Sequence, residues 1–186
     1  METNNNKFQN YSDEELRLML AIAMQDDSKK AENNFMHFVK MVWPEFIDGY
    51  HHNIMAQKFE EIASGKLKRL IVNMPPRHTK SEFASYLFPA WLMGKKPKTK
   101  IIQATHTAEL SYRFGRKMRN LMDDPDYRKI FKDVRLRADS KASGRWETNH
   151  GGEYFGAGIG GAITGRGADL LIIDDPHSEQ SITDTS

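Results

Sequence analysis

The sequence predicts an α/β protein whose central sheet is mostly parallel and flanked by helices, and three observations carry that expectation. In RLIVNMPPRHTKSEF, residues 69–83, a short apolar run breaks off in a polar loop that closes on Lys80-Ser81. In ADLLIIDDPHSE, residues 168–179, the unbroken apolar run Leu170 to Ile173 reads as a buried parallel strand and ends on Asp174-Asp175. Between these two stretches, segments with helical periodicity alternate with strand-like ones.

Three helices are expected ahead of the loop. Ser12-Asp13-Glu14-Glu15 has the form of a capping box and opens a helix through about Met24. Phe35, Phe38, Val39 and Val42 recur at helical spacing until Pro44 ends the second. The third spans about His51 to Ala63, with Ile54, Met55, Phe59 and Ile62 on its apolar side and Gly65 just past its end. His51-His52 invites a metal reading, but no Cys or acidic partner stands at ligand spacing.

The run at 69–72 is expected to be a buried strand delivering the chain to a phosphate-binding turn. Backbone N–H groups there wrap an anion, Lys80 neutralises the β- and γ-phosphates, and the Ser81 hydroxyl ligates Mg²⁺ at a helix N-terminus. The common pattern G-x-x-x-x-G-K-[ST] would place glycine at Met74 and at Thr79, and this chain has neither. Beyond the loop we expect a helix from Ser81 to about Met93, a strand from Lys100 to Ala104, and a helix from Thr107 to about Met122. Thr105, His106 and Thr107 fall at a strand's C-terminal edge, the ligand side of such a sheet, although a helix cap explains Thr107 more simply. The irregular glycines from Gly151 to Gly167, interleaved with Tyr154, Phe155 and Ile159, predict short strands and close turns.

No core tolerates two unpaired carboxylates, so Asp174-Asp175 belongs at a strand's C-terminal edge. One carboxylate there can hold the Mg²⁺ of a nucleotide cradled by the first loop while its neighbour orients the attacking water. We assign Asp174 to the metal and Asp175 to the water.

Taken together, PPRHTKS, IIQATHTAEL and GGAITGRGADLLIIDDPHSE resemble the ATPase portion of the large terminase subunit, the DNA-packaging motor of tailed bacteriophages. The resemblance is ordered and runs from about Trp43 to about Glu179. It implies a P-loop NTPase of the additional-strand class, with Walker A and Walker B segments, that uses ATP and Mg²⁺ to translocate double-stranded DNA into a procapsid. Partners implied are the portal, the small terminase subunit and further copies of the chain in a ring, in the cytoplasm of an infected bacterium and transiently on the procapsid. The loop residues Pro76, Arg77, His78, Thr79, Lys80 and Ser81 are then the nucleotide site, with Arg77 as a cis-acting catalytic arginine beside Lys80 and Asp175. The segment before the first strand supplies adenine contacts in that family, which makes Tyr50, His52 and Gln57 candidates; a Gln57 amide can donate and accept together at an adenine edge. Arg166, flanked by glycines, is a second arginine candidate or else a turn residue paired with Asp169. Arg128, Arg135, Arg137 and Arg145 all stay open as a finger offered to a neighbouring subunit.

Composition is that of a globular chain: 186 residues, 39% hydrophobic, no Cys, and no apolar run near membrane-spanning length. The polar start METNNNKFQN lacks the apolar stretch of a secretory signal. A net charge of +2 conceals an asymmetry, for residues 1–65 hold 6 Lys/Arg against 11 Asp/Glu, residues 66–145 hold 20 against 7, and residues 146–186 hold 1 against 7. Lys95, Lys96, Lys98 and Lys100, then Arg113, Arg116, Lys117 and Arg119, are the clusters that can face DNA or nucleotide phosphate, or simply solvate helices. We divide the chain into an N-terminal helical region, 1–65, and an ATPase core, 66–186, which the resemblance implies is cut short after the acidic strand. A helicase-like translocating ATPase and a non-catalytic nucleotide-binding fragment are the alternatives.

Overall fold

The computed structural model describes residues 11–140, 142–161 and 163–177. The polar start at 1–10, the Ser178-Glu179 end of the resembling stretch and the residues to 186 lie outside them. In chain order the elements are α1 (Asp13–Asn33), α2 (Phe35–Val42), α3 (Tyr50–Ala63), α4 (Lys80–Glu82), a π-helical turn (Phe83–Leu87), α5 (Phe88–Lys95), β1 (Lys100–Thr105), α6 (Ala108–Asp123), α7 (Pro125–Ile130), β2 (Arg145–Glu147), β3 (Glu153–Gly158) and β4 (Leu170–Asp174). The fold is mixed α/β, with a four-stranded sheet in the order β2-β3-β1-β4. β1 pairs in parallel with β3 and β4, and only β2 runs antiparallel.

The N-terminal helices start where their caps dictate. Ser12 Oγ accepts from the Glu15 N–H, Glu15 accepts from the Ser12 N–H at 2.7 Å, and α1 continues nine residues past the expected end at Met24. Asn34 caps α2 through the His37 N–H at 2.7 Å. The ring of Phe35, fully buried, lies 5.5–6.2 Å from those of Phe38, Phe59, Phe83, Phe88 and Trp91. Helices α2, α3 and α5 are thereby tied to the turn that follows the Lys80-Ser81 loop, in one core continuous from Ala31 to Tyr154.

Register fixes the functional edge. Thr105 at the end of β1 stands opposite both Gly158 of β3 and Asp174 of β4, so three parallel strands end level. That edge is where a doubly wound sheet presents its ligand site.

Two strand expectations need correction. Residues 69–72 join no strand ladder, and among the described residues the backbone of 68–75 makes no backbone hydrogen bond. Ile71 is 85% exposed, so the run is not a buried strand. The cause is topological: the neighbour across from it is β4, and a cavity of about 580 Å³ lined by Leu67, Leu70, Val72, Leu171 and Ile173 separates them. β4 is likewise the sheet's edge strand, covered on one face only, with Ile172 packed on the core and Leu171 and Ile173 more than half exposed. An unbroken apolar run predicted cover on both faces.

Candidate active site

Lys80 is the first residue of α4, and Asp174 is the last of β4 with Asp175 next to it, yet they meet. Lys80 Nζ lies 2.6 Å from Asp175 Oδ1 and 3.5 Å from Asp174 Oδ1. Burial works against the Lys80 ammonium, but the Asp175 hydrogen bond and the two carboxylate charges outweigh it and hold its pKa above the ordinary lysine value. Asp174 is buried and its other oxygen, Oδ2, accepts from the Ser85 hydroxyl at 2.9 Å. Asp175 is largely exposed at the mouth of the site.

The backbone is strained at the same place. Among the described residues, the non-glycine positions with left-handed φ are Arg77 (65°), Thr79 (59°) and Asp175 (44°), all in the two loops that converge on Lys80. Each such residue costs of order 1–3 kcal/mol and persists only where its surroundings over-determine it, a pattern that clusters at ligand sites. Thr79 thus adopts the conformation for which glycine is usual, despite its branched Cβ.

Met74 through Glu82, with Asp175, line a cavity of about 420 Å³ that takes in Pro76, Arg77, His78, Thr79, Lys80 and Ser81 together. The Pro76 carbonyl is 2.9 Å from His78 Nδ1, which closes the turn locally. Among the described residues the Arg77 guanidinium and the Ser81 hydroxyl make no hydrogen bond or ion pair, and both line this cavity. Mg²⁺ is usually held by few protein oxygens and completes its shell with water and phosphate; the Ser81 hydroxyl lines the loop cavity, whereas the Asp174 carboxylate does not and is engaged by Lys80 and Ser85. Among the described residues there is no cluster of three or more His, Cys, Asp or Glu able to hold a metal, which that mode of binding does not require.

Other candidates are placed elsewhere. Gln57 is exposed on α3 and does not line the loop cavity; Tyr50 is exposed. His52 is buried and bonded to Thr79 Oγ1 at 2.6 Å, so its ring edge serves the loop rather than a base. Thr105 is buried and donates to the Thr107 carbonyl, Thr107 caps α6 through the Leu110 N–H, and His106 is exposed. Arg166 is not paired with Asp169. It lies 4.0 Å over the Phe155 ring and 3.3 Å from Glu153, because the Asp169 carboxylate is taken by the Lys100 N–H at the start of β1. Arg128, Arg137 and Arg145 pair with acids of this chain, and Arg135 with the carbonyls of Phe131 and Val134.

Sequence reasoning missed Ser85. Its signal was present, since Ser81 and Ser85 stand four apart and share a helix face. The π-helical turn that carries Ser85 fits the tendency of such turns to occur at functional sites. Comparison of the chain with protein-family models, curated proteins and solved structures yields no match.

Proposed function

We propose that this chain is an ATP-hydrolysing P-loop module that works in phage DNA packaging, the ATPase portion of a large terminase subunit. The observation that carries the nucleotide reading is the convergence of Lys80 with Asp174 and Asp175 across 95 residues of chain, in loops that hold all three left-handed non-glycine residues described. The packaging reading rests on the resemblance from Trp43 to Glu179 and on the basic middle of the chain, which suits double-stranded DNA.

Each residue has a role in this reading. Loop N–H groups and Lys80 hold the β- and γ-phosphates, and the incoming anion replaces Asp175 as the partner of the ammonium. Ser81 and Asp174 hold Mg²⁺, with Ser85 orienting the Asp174 carboxylate from behind. Bound Mg²⁺ supplies charge neutralisation at the phosphate oxygens. Asp175, released from Lys80 and exposed, orients the attacking water and accepts its proton; an Asp reaches one methylene less far than the Glu common at this place, which its left-handed backbone offsets by turning it toward the loop. Arg77 neutralises charge that develops on the transferred phosphoryl group.

The test is a fluorescent-ATP titration of the wild-type chain and of Lys80→Ala. Losing a charge-assisted contact of about 1.5–3 kcal/mol weakens binding by roughly tenfold to a hundredfold. Equal affinity in the two proteins removes the loop assignment. ATP turnover that rises with portal-bearing procapsids supports the motor, whereas a response to forked or single-stranded DNA alone returns the helicase-like alternative.

A further inference from the structure

We propose that His52 is a positioning residue for the phosphate loop: a relay from the Gly49 N–H through its imidazole to the Thr79 hydroxyl holds a threonine in the left-handed conformation. The inference rests on the nucleotide reading for its consequence, but its geometry stands apart from it.

The direction of the relay follows from donors and acceptors. The Gly49 N–H can only donate, and it lies 2.8 Å from His52 Nδ1, so that nitrogen carries the lone pair and the neutral ring bears its proton on Nε2. Nε2 is 2.6 Å from Thr79 Oγ1. The Thr79 hydroxyl spends its single hydrogen on the His78 carbonyl at 2.7 Å and is therefore the acceptor from His52. With both bonds made, the Thr79 side chain cannot rotate without losing one of them, and its φ of 59° is held although a β-branched residue resists it.

The relay has a rigid anchor. His52 sits in the first turn of α3 and plays toward Gly49 the part that Glu plays in a capping box. Its buried ring meets Phe46 edge-on at 4.8 Å and lies 5.0 Å from Phe83, the residue whose N–H bonds back to the Thr79 carbonyl. The loop is thus clamped from α3 one residue before Lys80. A glycine at position 79 would need no clamp, which gives the inference its test.

The experiment is a double-mutant cycle on the whole chain, crossing His52→Ala with Thr79→Gly. Two readouts are taken: backbone amide exchange of residues 76–83 by mass spectrometry, and affinity for fluorescent ATP. Beside Thr79, His52→Ala is expected to raise both loop exchange and the dissociation constant by roughly tenfold; beside Gly at 79 it changes either by less than about twofold. His52→Gln, which keeps a donor near the Nε2 position, recovers most of the loss, and His52→Leu, which fills the site without a donor, takes the place of His52→Ala in the cycle if that variant does not fold. Equal losses in both backgrounds overturn the relay and leave His52 as a core residue. If the wild-type chain binds no nucleotide, the nucleotide reading fails, and the exchange cycle still decides the relay.

Discussion

Ser85 Oγ donates to Asp174 Oδ2 at 2.9 Å, and this one bond joins the π-helical turn after the Lys80-Ser81 loop to the end of β4. It satisfies the far oxygen of a buried carboxylate whose near oxygen faces Lys80 at 3.5 Å. The acid is thereby oriented from behind while its other oxygen faces the Lys80 ammonium.

Ser85→Ala should therefore harm both stability and metal-dependent binding. Leaving a buried acceptor without its donor costs about 1–3 kcal/mol, read as a lower urea midpoint, and the dependence of ATP affinity on Mg²⁺ should weaken in parallel. A variant that loses stability while its Mg²⁺ dependence stays intact would place Ser85 in the core alone.

Asp175→Asn separates binding from turnover. The Lys80–Asp175 pair is exposed on the acid's side, so its loss should change stability by no more than about 1 kcal/mol. Freed of its competitor, Lys80 should bind MgATP at least as tightly as before, while ATP hydrolysis falls by roughly a hundredfold or more for want of a base. Normal turnover would show the water-orienting role to be misplaced.

The His52 relay predicts a pH dependence of stability. Burial, and next the neighbouring His51, hold the His52 pKa below the ordinary histidine value; Asp48 opposes them and His78 adds to them. The unfolded chain therefore takes up the extra proton first as pH falls. Stability due to neutral His52 is complete above about 6.5 and is lost as pH drops through the depressed folded value. Unfolding free energy should fall as pH is lowered below about 6.5 more steeply in the wild type than in His52→Gln. Parallel curves would exclude His52 as the group responsible.

Local signals were enough for much of the molecule. The capping box at Ser12, the stop at Pro44 and the 3.6-residue spacing of Phe35, Phe38 and Val42 locate helices because cap and periodicity are contained within one turn or two. The β1 strand and the Thr107 cap are legible for the same reason, and Lys80-Ser81 and Asp174-Asp175 stand out as polar ends of apolar runs. What decided the rest is contact between residues far apart in the chain. Whether 69–72 and β4 are covered depends on which strands lie beside them, so an apolar run alone did not predict the exposure of Ile71, Leu171 and Ile173. Thr79 was an unfavourable residue for its φ until His52, 27 residues away, supplied the hydrogen bond that holds it there. The sequence by itself determined most of the helices, the loop and the acids, and led to the expectation that loop and acids share one site; the tertiary structure alone decided the contacts that bring them together, because hydrogen bonds and ion pairs spanning 27, 89 and 95 residues exist only once the core around Phe35 has closed.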